Sequence, residues 1–403
     1  MRREETDRQG VPFVPREGLA RAPLVFPLAG LSVSLASVNR GIPAVVATLL
    51  APLVVAGLVL VLSERRPPRL LPYAGGLALM SFIVSIFSCT VLVRQPPLPE
   101  GTVSERGTVV LERSWGARRA VLVDAEADRY LLKLPPDKLV KEGDLLSFSG
   151  VARRIAPREG SSFREDLYWS ARGARIEIEA SSTSRGDGGP SLASWRTALR
   201  RRMLLTLPPR TRGYMLAAVL GVRDPDLDEA HRRWGTSHLL AVSGFHVGLV
   251  ALGLWKILTS ALVRTRVPRR VAVAAASLVL WGYALLAGGA PGALRAAIML
   301  QLLLLGVALG RRGNALNSVT MAALLLLLWR PAWFFDVGWR LSVIAAMLLA
   351  ALAERCLSIW TLPASSVLVW IAAYPQVAAV FGSVPLAGLT PWTAGWNPVL
   401  AAL

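Results

Sequence analysis

The chain has 403 residues, 53% of them hydrophobic, with 45 Lys and Arg against 26 Asp and Glu and a formal charge of +19. The apolar residues come in long blocks rather than in alternation or amphipathic stripes, the mark of a polytopic α-helical membrane protein. Only two cysteines are present, Cys89 and Cys356, both in or beside apolar blocks, which argues against a disulfide framework.

Residues 1–23 are polar, mixed in charge and proline-containing, and read as a cytoplasmic lead-in without a cleavable signal. Apolar segments follow at 24–38, 42–62 and 71–93, of which the last two reach the roughly 20 residues that a 30 Å hydrocarbon core needs. From Arg94 hydropathy collapses. The stretches GTVVLERS, RAVLVDA, RYLLKLP, LLSFSGVARRI and ARIEIEA are rich in β-formers and separated by turn signals such as Pro135-Pro136. They predict a small inserted five-stranded β-barrel of the OB kind over 94–180. Its aromatics Trp115, Tyr130, Phe148, Phe163, Tyr168 and Trp169 fit a core as well as a base-stacking platform.

The run SSTSRGDGGP over 181–190 reads as a flexible linker. After it, up to 212, Leu192, Trp195, Leu199 and Met203 recur at helical spacing beside Arg196, Arg200, Arg201 and Arg202. That pattern predicts an amphipathic interfacial helix whose basic side meets lipid headgroups or, alternatively, nucleic-acid phosphates. Residues 213–403 hold six or seven further apolar blocks, at 237–263, 271–287, 294–309, 316–329, 341–353, 367–381 and a proline-interrupted 384–403. The end within apolar sequence is read as an abbreviated or truncated membrane domain.

Arginine placement orients this count. With a cytoplasmic N-terminus, the inside loops carry Arg65, Arg66, Arg69, Arg264, Arg266, Arg269, Arg270, Arg311, Arg312 and Arg355, and short outside loops only Arg40, Arg330 and Arg340. The positive-inside rule then makes the barrel extracytoplasmic.

Three polar constellations interrupt the apolar blocks. In HLLAVSGFHVGLV, His238, Ser243 and His246 fall broadly on one helical side, and Gly244 with Gly248 permits close helix approach. Pore lining and simple packing explain these residues about equally well. In GGAPGALRAAIM, a Gly-Pro break precedes a helix carrying Arg295 one turn inside its apolar run, where a guanidinium must snorkel, pair or face water. In FFDVGWRLSVIA, Asp336 and Arg340 have the spacing of an i to i+4 ion pair, with Arg295 as the other possible partner of Asp336.

The first constellation, preceded by LAAVLGVRDPDLDEAHRRWGTS, resembles the signature of the ComEC/Rec2 competence proteins, DNA-uptake channels of the inner membrane. GALRAAIM and DVGWRLSVIA resemble two further motifs of that family in the same order, although Arg340 stands where glutamine is usual. REGSSFREDLYWSARGARI resembles the closing stretch of the family's OB-like module. The resemblance implies a channel that passes single-stranded DNA into the cytoplasm during transformation. It puts His238, Ser243, Gly244, His246, Arg295 and Arg340 near the translocation path. It also implies a separate DNA receptor, helicase-like motor and nuclease, and leaves a homo-oligomer open.

Many family members carry a metallo-β-lactamase-like nuclease domain. The three histidines here, His231, His238 and His246, are too few for its dinuclear site, so neither nuclease activity nor a metal or other cofactor is expected. No GxxxxGK[ST] loop is present. Two other readings stay open. Ser243 and His246 are the residue types of an intramembrane serine hydrolase, although Ala241 stands where a Gly-x-Ser-x-Gly pattern has glycine. A membrane scaffold or a degenerate relative without transport would also fit.

Overall fold

The computed structural model describes residues 22–63, 71–94, 97–99, 101–157, 164–186, 189–222, 268–289, 291–310, 314–353 and 361–381, with isolated positions at 227, 231 and 253. The N-terminal apolar blocks form α1 (Val25–Asn39), α2 (Ala44–Ser63) and α3 (Leu71–Val93). Ala44–Val61 and Pro72–Val93 are long and apolar enough to cross a membrane, whereas α1 is a shorter apolar helix. The three pack through small residues, as helices do where backbone approach replaces the hydrophobic effect. A Cβ on Gly30 would lie 2.2 Å from Ser81 Oγ and 2.7 Å from the Ala51 carbonyl. Ser34 Oγ donates to the Ala47 carbonyl at 2.8 Å.

Alternating side chains close the next segment into a barrel of β1 (Thr102–Trp115), β2 (Arg118–Ala125), β3 (Arg129–Leu134), β4 (Leu145–Arg154) and β5 (Ile176–Gly186). The strand order is β1-β2-β3-β5-β4, with β3 and β5 parallel and the other neighbours antiparallel. Along β2, Val121 and Val123 point into the barrel with Tyr130, Leu132, Phe148 and Ile178. Ala120 and Leu122 point outward, where the short helix α4 (Glu165–Ser170) covers them with Trp169. Tyr130, Phe148 and Trp169 are therefore core residues. Lys133 anchors α4 by bonding Glu165 and Glu177, each at 2.9 Å. Burial alone would lower its pKa, but the two carboxylates outweigh that and hold it above the ordinary lysine value.

The linker expected over 181–190 is corrected in its first half. Ser182 to Gly186 continue β5 and pair with Ser149 to Leu145 of β4. Ser181 Oγ donates to the Ser149 carbonyl at 3.0 Å, and Arg185 ties the strand end to Asp144 at 2.8 Å. Ser and Thr satisfy a ladder as well as a loop, so their composition alone misled.

Two helices follow, α5 (Leu192–Thr206), opened by a reciprocal Ser191–Ser194 capping box, and α6 (Pro209–Leu220). The later apolar blocks form α7 (Arg269–Leu286), α8 (Pro291–Ala308), α9 (Ala315–Trp329), α10 (Val337–Ala353) and α11 (Thr361–Phe381), with a 3-10 turn at Pro331–Phe335. One buried cluster joins Leu31 and Leu35 of α1, Val84 and Cys89 of α3, Leu324 and Leu327 of α9, Trp333 of the turn, and Trp339 and Val343 of α10. The apolar blocks expected at 237–263 and 384–403 lie outside the described residues.

Candidate site at the junction of the barrel and the helix ends

The loop leaving α4 presents backbone and arginine side chains to the helix ends below it. Trp169, fully buried, fixes the loop, and Gly173 turns it at a φ of +95° with the Arg330 guanidinium against the position its Cβ would take. The Ala171 carbonyl accepts from Trp333 Nε1 at 2.5 Å and from Arg330 Nη1 at 3.4 Å. Arg175 donates to the carbonyls of Arg94 (2.6 Å) and Val91 (3.1 Å), satisfying the end of α3, and Arg164 reaches Asn39 at the end of α1 (3.2 Å). The barrel thus rests on the C-terminal ends of α1, α3 and α9 and, through the contacts below, on the end of α7 and the starts of α8 and α10.

Arg295, one turn into α8, is only 6% exposed. Its Nη2 donates to the Gly338 carbonyl at 3.0 Å, and its Nε and Nη1 have no hydrogen-bond partner among the described residues. Asp336 stands on the same spot, since a Cβ on Gly338 would lie 3.0 Å from Asp336 Oδ1 and 3.8 Å from Arg295 Nη2. Arg172, from the barrel, closes the group with Nη1 4.0 Å from Asp336 Oδ2. It also lies over the Tyr168 ring at 3.5 Å and donates to the Tyr168 carbonyl. Burial pushes the Arg172 guanidinium below its ordinary value, with Tyr168 and Asp336 only partly restoring it.

The expected Asp336–Arg340 ion pair is corrected. Asp336 Oδ1 accepts from the Trp339 backbone N at 2.8 Å, which makes Asp336 the N-cap of α10, and its ion-pair contact is with Arg172. Arg340 meets Asp336 through its backbone N, at 3.1 Å. Its side chain is half-buried and its Nε lacks a partner among the described residues.

The basic helix is corrected at one residue. Arg196 is buried at 8% exposure and faces the protein. It donates to Glu142 Oε2 (2.7 Å), the Leu286 carbonyl ending α7 (2.8 Å) and the Leu220 carbonyl ending α6 (2.9 Å). Gly288, at a φ of +82°, leaves room for this guanidinium, because a Cβ there would come within 2.6 Å of it. Thr197 Oγ1 bonds the Glu142 carbonyl, and Gly143 (φ +92°) lets the same barrel turn meet the backbone of Ser194. Burial pushes the Glu142 carboxyl above the usual range, and the pull of Arg196 and Arg200 does not fully reverse it. Arg200, Arg201 and Arg202 are exposed, and so are Leu192 and Trp195 on the apolar side of α5. The helix therefore turns a polar edge to the barrel and leaves Leu192 and Trp195 open, with Leu199 and Met203 half-buried.

Of the other residues singled out, His238, Ser243, Gly244 and His246 lie outside the described residues. His231 lies 3.2 Å from the Tyr214 hydroxyl. Arg172 was missed as a site residue, although it sits inside the REDLYWSARGARI stretch that carries part of the family likeness.

Residues 219–391, which include α7 to α11, match the family described as Competence protein. "ComE operon protein 3" of Bacillus subtilis (strain 168) is 35% identical over 139 residues, a segment that is 34% of this chain and 17% of that protein. Among solved structures, an aspartyl tRNA synthetase from Entamoeba histolytica superimposes at a TM-score of 0.17 and 12% identity, over 47% of this chain and 42% of its own, and carries no argument. The segment that holds the buried Arg295 is thus similar to the competence-protein family, and the chain spans less than a fifth of the length of the Bacillus relative it matches.

Proposed function

We propose that the chain is a multi-pass inner-membrane component that passes one strand of incoming DNA into the cytoplasm during natural transformation. The competence-family match over residues 219–391 supports DNA uptake, and Arg295, buried beneath the barrel with Nε and Nη1 unpartnered among the described residues, is the observation that carries the channel reading. A guanidinium at that depth without a full set of partners has use for a passing polyanion. The five-stranded closed barrel supports an OB-like module. The helix ends gathered at the barrel belong to segments whose opposite ends adjoin the arginine-rich loops, which supports a cytoplasmic N-terminus and an extracytoplasmic barrel. His238, Ser243, Gly244, His246, Arg295 and Arg340 line the path in this reading. A separate receptor, helicase-like motor and nuclease act with it.

Transformation frequency tests the proposal. Deleting the gene abolishes uptake, the wild-type chain restores it, and Arg295→Ala and His246→Ala each restore it at least about tenfold less well, the size of one lost charge-assisted contact. A deletion strain that transforms normally sinks the channel in favour of a scaffold. Metal-dependent cleavage of DNA by the purified chain would show a nuclease instead of a passive conduit.

A further inference from the structure

We propose that Arg172 of the barrel and Arg295 of α8 together form a seat for one phosphodiester group of the strand, at the point where it leaves the barrel for the helices. The inference rests on the DNA-uptake reading, because it takes the strand as the source of the phosphate.

The charge balance comes first. Among the described residues, Arg172, Arg295 and Arg340 gather near a single carboxylate, Asp336, whose Oδ1 is held by the α10 cap and whose Oδ2 lies 4.0 Å from Arg172. Arg295 spends one N–H on the Gly338 carbonyl, and its Nε and Nη1 are unpartnered among the described residues although the side chain is 6% exposed. Buried donors left unmade are costly, and a buried cation without an anion more so. A singly charged phosphodiester presents two oxygens to a guanidinium fork and fills both deficits.

Access is provided by Gly338. Its surface is exposed while the guanidinium beneath it is buried, and it has no side chain where a Cβ would crowd Asp336 Oδ1 at 3.0 Å and Arg295 Nη2 at 3.8 Å. A side chain at 338 would stand in the seat.

Asp336 has a second task here. A strand must leave each phosphate site as readily as it enters, and the carboxylate competes for the same guanidinium groups, keeping the seat shallow. Its removal deepens the seat. Asn caps a helix about as well as Asp, so Asp336→Asn removes the competing charge and keeps the start of α10.

The test uses the full chain in phosphatidylcholine nanodiscs and a fluorescein-labelled oligodeoxythymidylate, with anisotropy titrations over a range of salt. Arg172→Gln and Arg295→Gln each weaken binding about tenfold and lower the log–log salt slope by roughly 0.7, one phosphate on a single strand. Arg172→Lys, which keeps the charge and loses the fork, falls between. Asp336→Asn binds about three- to tenfold tighter than wild type yet lowers transformation, a gain that misfolding cannot produce. An oligonucleotide with neutral methylphosphonate linkages erases these differences.

Unchanged or weaker binding by Asp336→Asn, or wild-type affinity in both glutamine variants, overturns the seat while leaving DNA uptake standing. Displacement of the arginine-dependent binding by short-chain phosphatidylglycerol assigns the seat to a lipid headgroup and overturns it likewise. Absence of oligonucleotide binding by the wild type, with normal transformation of the deletion strain, removes the uptake reading and the seat together.

Discussion

Arg196 shows how far the meaning of one side chain depends on its neighbours. Its helical spacing with Trp195 and Leu199 was legible, and so was its charge, but the carbonyls of Leu220 and Leu286 that claim it come from distant segments. No local pattern encodes such a meeting. Arg196→Met should leave Glu142 buried and unpaired and cost about 3–5 kcal/mol, read as a lowered thermal midpoint in detergent. The sign with pH follows from burial. A carboxyl whose folded pKa is raised favours the folded state below its unfolded pKa and loses that contribution as pH rises through the folded value. The deficit of Arg196→Met should therefore shrink from about pH 8 to about pH 5; a deficit that grew on acidification would contradict the burial argument. Arg295 was the opposite case. A lone guanidinium in an apolar run is conspicuous in any sequence, whereas Arg172, one basic residue in a polar loop, becomes visible only once Asp336 is beside it.

At the level of elements, helices were legible because their apolar blocks need no partner to be recognised. α3 occupies the residues expected of it, and α8 and α10 begin three or four residues before the apolar blocks read from the sequence, since Pro291 and Gly292 in one first turn and Gly338 and Arg340 in the other read as a break rather than as helix. Five strands were legible from β-formers and turns, but the length of β5 was not, because Ser181 to Gly186 carry the composition of a linker and acquire strand geometry only from β4. Closure of the barrel adds its own demands. Gly150 sits at the irregularity between β4 and β5, where a Cβ would come within 2.2 Å of the Glu179 carbonyl. Gly150→Val should break the β4–β5 ladder, seen as faster amide exchange along both strands. Trp169→Ala empties the space between α4 and the outer barrel wall and should cost about 3–5 kcal/mol in denaturant unfolding, with the loop bearing Arg172 loosened as a result.

For the whole molecule, orientation is the property most directly checked. Arg40 follows α1 at the barrel side, whereas Arg312 falls in the sequence between α8 and α9. In a background with Cys89 and Cys356 replaced by serine, a membrane-impermeant maleimide added to spheroplasts should label Arg40→Cys and label Arg312→Cys only after lysis. The reverse pattern would invert the topology and place the barrel in the cytoplasm.

The footing of the barrel carries a practical corollary. Its loops complete the backbone bonding at the end of α3 and accept from Trp333, and the α5 arginine that its Glu142 holds completes the end of α7. It serves as a keystone, so excising it would strip the end of α3 of the Arg175 donor, Trp333 of its acceptor carbonyl and Arg196 of the Glu142 carboxylate at once, instead of yielding two self-sufficient fragments. Split expression of the flanking halves should reconstitute only when the barrel travels with one of them.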